Sequence, residues 1–135
     1  MKPSLWIGKA ARRLQSAELL LRDGDFDSAC NRAYYAMFSA ARAALIGKGL
    51  NQAAAAKTHK GLIAIFGEHL IKSGDLEQAH GRTFSLESKR REASDYRGED
   101  ISAEEAAESI ANAKAFVNAV VSWLSRPTDA VDPES

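Results

Sequence analysis

The sequence predicts an all-α protein, an antiparallel bundle of four to five helices. Three observations carry that reading. Apolar and small residues recur at three- and four-residue spacing along five segments. Glycines at positions 24, 47, 74 and 98 stop those segments, and cap-forming residues open several of them. No segment shows the alternation of a strand.

The five helices are expected at roughly 3–23, 25–46, 58–73, 75–97 and 102–126. In the first, Ile7, Ala10, Leu14, Ala17 and Leu21 form a core-facing stripe, with Ser4 as cap. The tight Asp23-Gly24-Asp25 link turns the chain back, making the first two helices an antiparallel pair. Asp25 is the expected N-cap of the second. That helix should be central. Ala29, Ala33, Ala36 and Ala40 allow close approach on one stripe, while Tyr34, Met37, Ala41 and Leu45 fill the next, so most of its circumference asks to be covered.

The segment 48–57 is alanine-rich but has glycines at its start and no core stripe; it reads as a connection with a turn of helix. Leu62, Ile63, Phe66 and Leu70 give the third helix its apolar face. Asp75 with Gln78 resembles a capping box for the fourth, whose stripe runs Leu76, Ala79, Thr83, Leu86, Arg90, Ala93. That stripe begins apolar and turns charged halfway. Ser102 and Glu105 form a capping box for the fifth helix, in which Ala106, Ile110, Ala113, Val117, Val120 and Leu124 recur regularly, with Phe116 and Trp123 at the stripe's edge. Pro127 ends it, residues 1–127 form one domain, and 128–135 reads as a disordered acidic tail.

Lys and Arg number 18 and Asp and Glu number 18, so whole-chain charge gives no signal for nucleic acid and any such argument rests on local clusters. The single cysteine, Cys30, sits among small residues and reads as a buried thiol in a reducing compartment. Without a signal peptide or a long apolar run, a cytoplasmic location is expected, with no membrane contact. Ligand spacings for metals and phosphate-cradling glycine loops are absent from the sequence, so it calls for no cofactor.

Few polar groups invite chemistry. Arg90 falls where periodicity assigns the interior, so it must be paired, line a cleft or meet another subunit. The rest of the run Glu87–Glu92 reads as a solvated face of mixed charge. Asp95 is placed to accept from Arg91, and Tyr96 to close a cleft. Asn31, Arg32 and Tyr35 are the polar members of the second helix. His59, flanked by Lys57 and Lys60 in the first turn of the third, is basic and exposed enough to meet a phosphate, whereas His69 and His80 read as ordinary helix residues.

The block Ala29-x-Asn31-Arg32-Ala33-Tyr34-Tyr35-Ala36-Met37-Phe38, then Lys57-Thr58-His59-Lys60-Gly61, then Arg90/Arg91 with Asp95-Tyr96, resembles the HEPN domain superfamily, in its branch of small stand-alone proteins, from about Lys2 to Leu124. The resemblance implies an all-α bundle acting as a homodimer. It also implies, as in many such proteins, a metal-independent RNase toxin paired with a nucleotidyltransferase-type antitoxin. The family signature is an Arg, four to six residues, a His, and often a Tyr two positions later. Here four residues after Arg90 lead to Asp95 and four after Arg91 to Tyr96; no arginine of that helix has a histidine at the required distance. The resemblance therefore implies a divergent RNase site. Arg90, His59 and Asp95 are the candidates for chemistry, and Asn31, Arg32, Tyr35, Arg91 and Tyr96 the candidates for binding RNA or a nucleotide. The alternative is a non-catalytic dimeric module that docks the nucleotidyltransferase.

Overall fold

The computed structural model describes residues 2–98 and 100–127; the expected tail lies outside them. The described chain is helical throughout: α1 Pro3–Arg22, α2 Phe26–Gly47, the single turn α3 Asn51–Ala54, α4 His59–Phe66, α5 Gln78–Arg97 and α6 Ala103–Leu124. None of these helices is long and apolar enough to cross a membrane.

Helix α2 is central. It packs against α1 and α6 on one side and against α4 and α5 on the other. Ala29, Ala33, Ala36, Met37, Ala40, Ala41 and Ala44 are fully buried along it, which is what its small-residue stripes require of a helix contacted from several directions. Asp25 caps it as expected, accepting the Ser28 amide at 3.3 Å, and Gly24 takes the positive φ of 81° that the sharp α1–α2 reversal needs. Phe66, Phe84 and Phe116 meet beneath α4, with ring centroids 5.1–5.6 Å apart.

Several boundaries differ from expectation. Lys2, not Ser4, occupies the first N-cap, with Pro3 supplying its pre-set φ to the first turn. The expected helix 58–73 is α4 followed by a π-helical turn, Gly67–Ile71, closed by the Lys72 amide on the Gly67 carbonyl at 2.9 Å. Asp75 does not cap α5. Its carboxylate is taken by Lys48 at 2.6 Å and Ser73 at 2.9 Å, and α5 opens three residues later with no side-chain cap on Glu77. Leu76 is thus buried ahead of the helix rather than in it, and the stripe counted from it is one residue out of phase. The side of α5 that enters the interior carries Phe84, Glu87 and Arg91, while Leu86 is 48% exposed. Phe116 and Trp123, beside the α6 stripe, are buried with it.

Candidate functional site

Ser102 and Glu105 exchange both capping-box hydrogen bonds at the start of α6, and the Asp27 carboxylate accepts the Ile101 amide at 3.0 Å. The last of these bonds ties the start of α6 to α2. Between α6 and α5 lies a buried polar cluster. Glu87, 1% exposed, accepts from Ser109 Oγ at 2.6 Å, Asn112 Nδ2 at 2.8 Å and Arg90 Nη1 at 3.2 Å. Arg90 also donates to Ser109 Oγ at 2.8 Å, the Glu105 carbonyl at 3.1 Å and Glu108 Oε1 at 2.6 Å. Burial opposes the charge on Arg90, but Glu108 and Glu87 outweigh it and hold its pKa above the ordinary value. Glu87 is therefore no part of a solvated face, and Arg90 is occupied by helix–helix contacts.

One residue on, Arg91 faces the other way. Its guanidinium lies 5.2 Å from the Tyr34 ring centroid and 5.9 Å from that of Tyr96, and it donates to Asp95 Oδ2 at 2.8 Å. Its Nε is buried without a hydrogen-bond partner. Tyr96 is 76% exposed. Asn31, Arg32 and Asp95 line one small cavity of about 190 Å³ together with Asp27 and Ser28.

His59 completes this face. Thr58 caps α4 by accepting the Gly61 amide at 2.9 Å, and a Cβ on Gly61 would stand 2.6 Å from that hydroxyl, so the Thr-His-Lys-Gly run needs its glycine. The cap sets His59 between two adjacent tyrosines of α2. Tyr34 Oη lies 3.0 Å from Nδ1 and Tyr35 Oη 3.2 Å from Nε2. The Phe38 ring backs the imidazole at 4.9 Å. Burial first, then the nearby Arg91 and Arg42 cations, lower the His59 pKa below its ordinary 6.5, so the ring is neutral at neutral pH. Burial raises Tyr34 to about 12, against the pull of Ser88 and Arg91.

A neutral imidazole donates from one nitrogen and accepts at the other. Tyr34 is fully buried, and a buried hydroxyl that donated to nothing would be costly. All three groups are satisfied when Tyr34 donates to Nδ1 and Nε2–H donates to Tyr35. The half-buried Tyr35 then keeps its own proton free to donate, with the Arg91 guanidinium close by. The site as built offers a hydroxyl donor, a neutral base and two cations: a receptor for an oxyanion with a proton relay behind it.

Arg42 is the member of this site that the sequence did not single out. It stacks 4.9 Å from both the Trp6 and Phe38 rings and donates to the Ala56 carbonyl at 3.2 Å, with its Nε buried and unpartnered. The signal was present: Arg42 follows Tyr35 by seven residues, two turns along the same face of α2. His59, Tyr35, Arg91, Asp95, Tyr96, Asn31 and Arg32 thus share a continuous region, and Arg90 alone of the expected residues is turned away from it. A cavity of about 640 Å³ between α4 and α5 is lined by Ile63, Ile71, Phe84 and Leu86 and includes none of them. Among the described residues no group of three or more His, Cys, Asp and Glu side chains is placed to hold a metal ion.

The family model described as the HEPN domain matches residues 3–123. The chain belongs to the HEPN family. A protein of Methanocaldococcus jannaschii bearing the name "Putative toxin" is 33% identical to this HEPN chain over 111 residues, covering 82% of this chain and 80% of that protein. A UPF0332 protein of Thermotoga maritima is 32% identical over 117 residues, covering 85% of each chain. Another UPF0332 protein, from Gloeobacter violaceus, is 32% identical over 122 residues, with 89% of this chain and 94% of its relative aligned. The expected superfamily and all-helical fold are both met.

Proposed function

We propose that this HEPN chain is the toxin-like, RNA-binding member of a two-protein pair, and that it holds a phosphodiester between Arg91, Arg42 and the Tyr35 hydroxyl, beside His59. One observation carries the reading: a neutral imidazole bracketed by two tyrosine hydroxyls at 3.0 and 3.2 Å, its pKa lowered by burial and then by two nearby cations. That is equipment suited to RNA cleavage without a metal, and His59 would take the proton-transfer role of the histidine that α5 lacks in sequence. When substrate displaces Tyr35, the ring takes its other tautomer, Nδ1–H donating to the Tyr34 oxygen while the Tyr34 hydroxyl turns to Ser88, and the freed Nε2 takes the 2′-hydroxyl proton as that oxygen bonds to phosphorus. The bond from phosphorus to the 5′ oxygen breaks, leaving a 2′,3′-cyclic phosphate, and the proton passes to the departing oxygen. Arg91 and Arg42 balance the charge that builds on the phosphoryl oxygens.

A second reading is favoured by a different observation. Both ring nitrogens of His59 are already occupied by tyrosines, so the cluster also suits a rigid, non-catalytic surface for docking a nucleotidyltransferase-type antitoxin. In either reading the chain works as a homodimer through the α2 and α5 surfaces that carry Tyr35 and the exposed Tyr96.

Purified protein incubated with RNA in chelator separates the two. Under the first reading the parent cuts RNA to cyclic-phosphate ends, and His59→Gln slows this by about a hundredfold or more while binding changes little. Binding without cleavage by the parent moves the conclusion to the second reading. Failure of the parent to bind any RNA removes the first altogether.

A further inference from the structure

Although the chain is neutral overall, its cations are not spread evenly. On α1 the carboxylate is Glu18, which pairs with Lys114, while Lys9, Arg12 and Arg13 have no ion-pair partner among the described residues; nor do Arg32 and Arg42 on α2. These cations stand close together. Burial and then the neighbouring Arg32 and Arg12 lower the Arg13 pKa, and burial and then Arg13 lower that of Arg42. Arg13 is anchored by a hydrogen bond to Ser39 on α2, so α1 and α2 present one surface.

Aromatic rings are interleaved with the charges. Lys9 Nζ lies 5.0 Å from the Trp6 ring centroid and the Arg42 guanidinium 4.9 Å from it. Arg42 then leads through Phe38 to His59 and Tyr35. Trp6 and Tyr35 are half-buried rings with reachable edges, and Lys9 and Arg12 are exposed.

From this arrangement we infer that the α1–α2 face, from Lys9, Arg12 and Trp6 through Arg42 to Tyr35, is a track for single-stranded RNA leading into the His59 site. The inference rests on the proposed RNA-binding function and adds to it the strand state of the substrate and its path. Unpaired cations at intervals suit a phosphate backbone, and half-exposed rings suit unpaired bases, whose faces a duplex keeps stacked. A base that displaces Lys9 from the Trp6 ring gains a stack and frees an ammonium for a phosphate. The α1 end of this face, at Lys9, Arg12 and Arg13, is ill suited to a second copy of itself, because a twofold axis through it would bring like charges together.

The test uses the full chain with a labelled oligouridylate and the same length of duplex RNA, across a salt series. The parent should bind the single strand more tightly than the duplex and quench Trp6 fluorescence. Lys9→Gln/Arg12→Gln, both at exposed positions, should bind at least roughly fivefold more weakly at low salt. The slope of log affinity against log salt should shrink by about 1.4, two phosphate contacts' worth for single strands. Thermal melts confirm that the double variant is folded, and Trp6→Leu should weaken single-strand binding without changing the slope. Equal binding by the double variant and the parent overturns the track while leaving the His59 site's RNA binding intact. Absence of RNA binding by the parent overturns both. Loss of self-association in the double variant, with RNA binding unchanged, reassigns the face to protein contact and also overturns the track.

Discussion

Arg90 and Arg91 leave the same turn of α5 for two regions that treat a cation in opposite ways. Around Arg90 every contact is with an oxygen: Glu87, Glu108, Ser109 and the Glu105 carbonyl share its N–H groups. Around Arg91 the neighbours are mostly rings, one carboxylate tethers it, and Nε–H has no partner. Burial of an arginine is thus not one observation but two. The Arg90 guanidinium, bonded through both Nη groups, joins helices; the aromatic-caged one of Arg91, with an unmet donor, is the one the proposed function assigns to an anion. The neighbouring carboxylates mark the same contrast, since Glu87 is 1% exposed at the side chain and Asp95 39%.

The comparison breaks most severely at Glu87. Glu87→Ala leaves Arg90 buried with fewer anions and should cost about 3–5 kcal/mol in denaturant unfolding, with RNA affinity per folded molecule unchanged. A loss under 1 kcal/mol would show the cluster to be dispensable. Next, Arg91→Ala should weaken RNA binding roughly tenfold or more, an effect of about 1.4 kcal/mol, with only modest loss of stability, whereas Arg90→Ala should do the reverse. Measuring both properties on both variants sharpens the distinction, and matching profiles would erase it.

The smallest expected effect concerns pH. The His59 pKa is lowered on folding, so the unfolded chain binds more protons as pH falls below the ordinary 6.5. The stability that comes from keeping the ring neutral is fully present above that value and lost as pH falls through it toward the folded-state pKa. The melting temperature of the parent should therefore decline between pH 7 and pH 5 more than that of His59→Gln. Parallel declines would mean that other groups set the acid limit.

Much of this was legible in the sequence, and the exceptions have physical causes. The stripes of α1, α2 and α6 are long and regular, so their faces could be assigned from spacing alone. Helix α5 has Phe84 as its one large buried apolar side chain, and starting its stripe at Leu76, which lies before the helix, shifted the phase by one residue. That step assigned to Arg90 the interior place that Arg91 holds. The Asp75 cap failed because Lys48, far away in sequence, claims the carboxylate. His59, Tyr35 and Tyr96 were identifiable by type. That Tyr34 and Tyr35 would grip both nitrogens of one ring could not be read, since consecutive helix residues normally diverge and the pairing depends on where α4 docks.

The shortness of α4 has its own consequence. Even with the π turn that continues it, α4 has too few turns to hold a helix in isolation, so His59 owes its position to docking by Leu62 and Phe66 and to the tyrosine bonds. The long pair α1 and α2 needs no such help from a distant segment. Amide exchange should therefore show α4 opening in excursions that leave α2 protected, and the imidazole should drift from its partners at temperatures where total helicity has scarcely changed. The chemistry proposed for His59 should therefore fail on warming before the fold does.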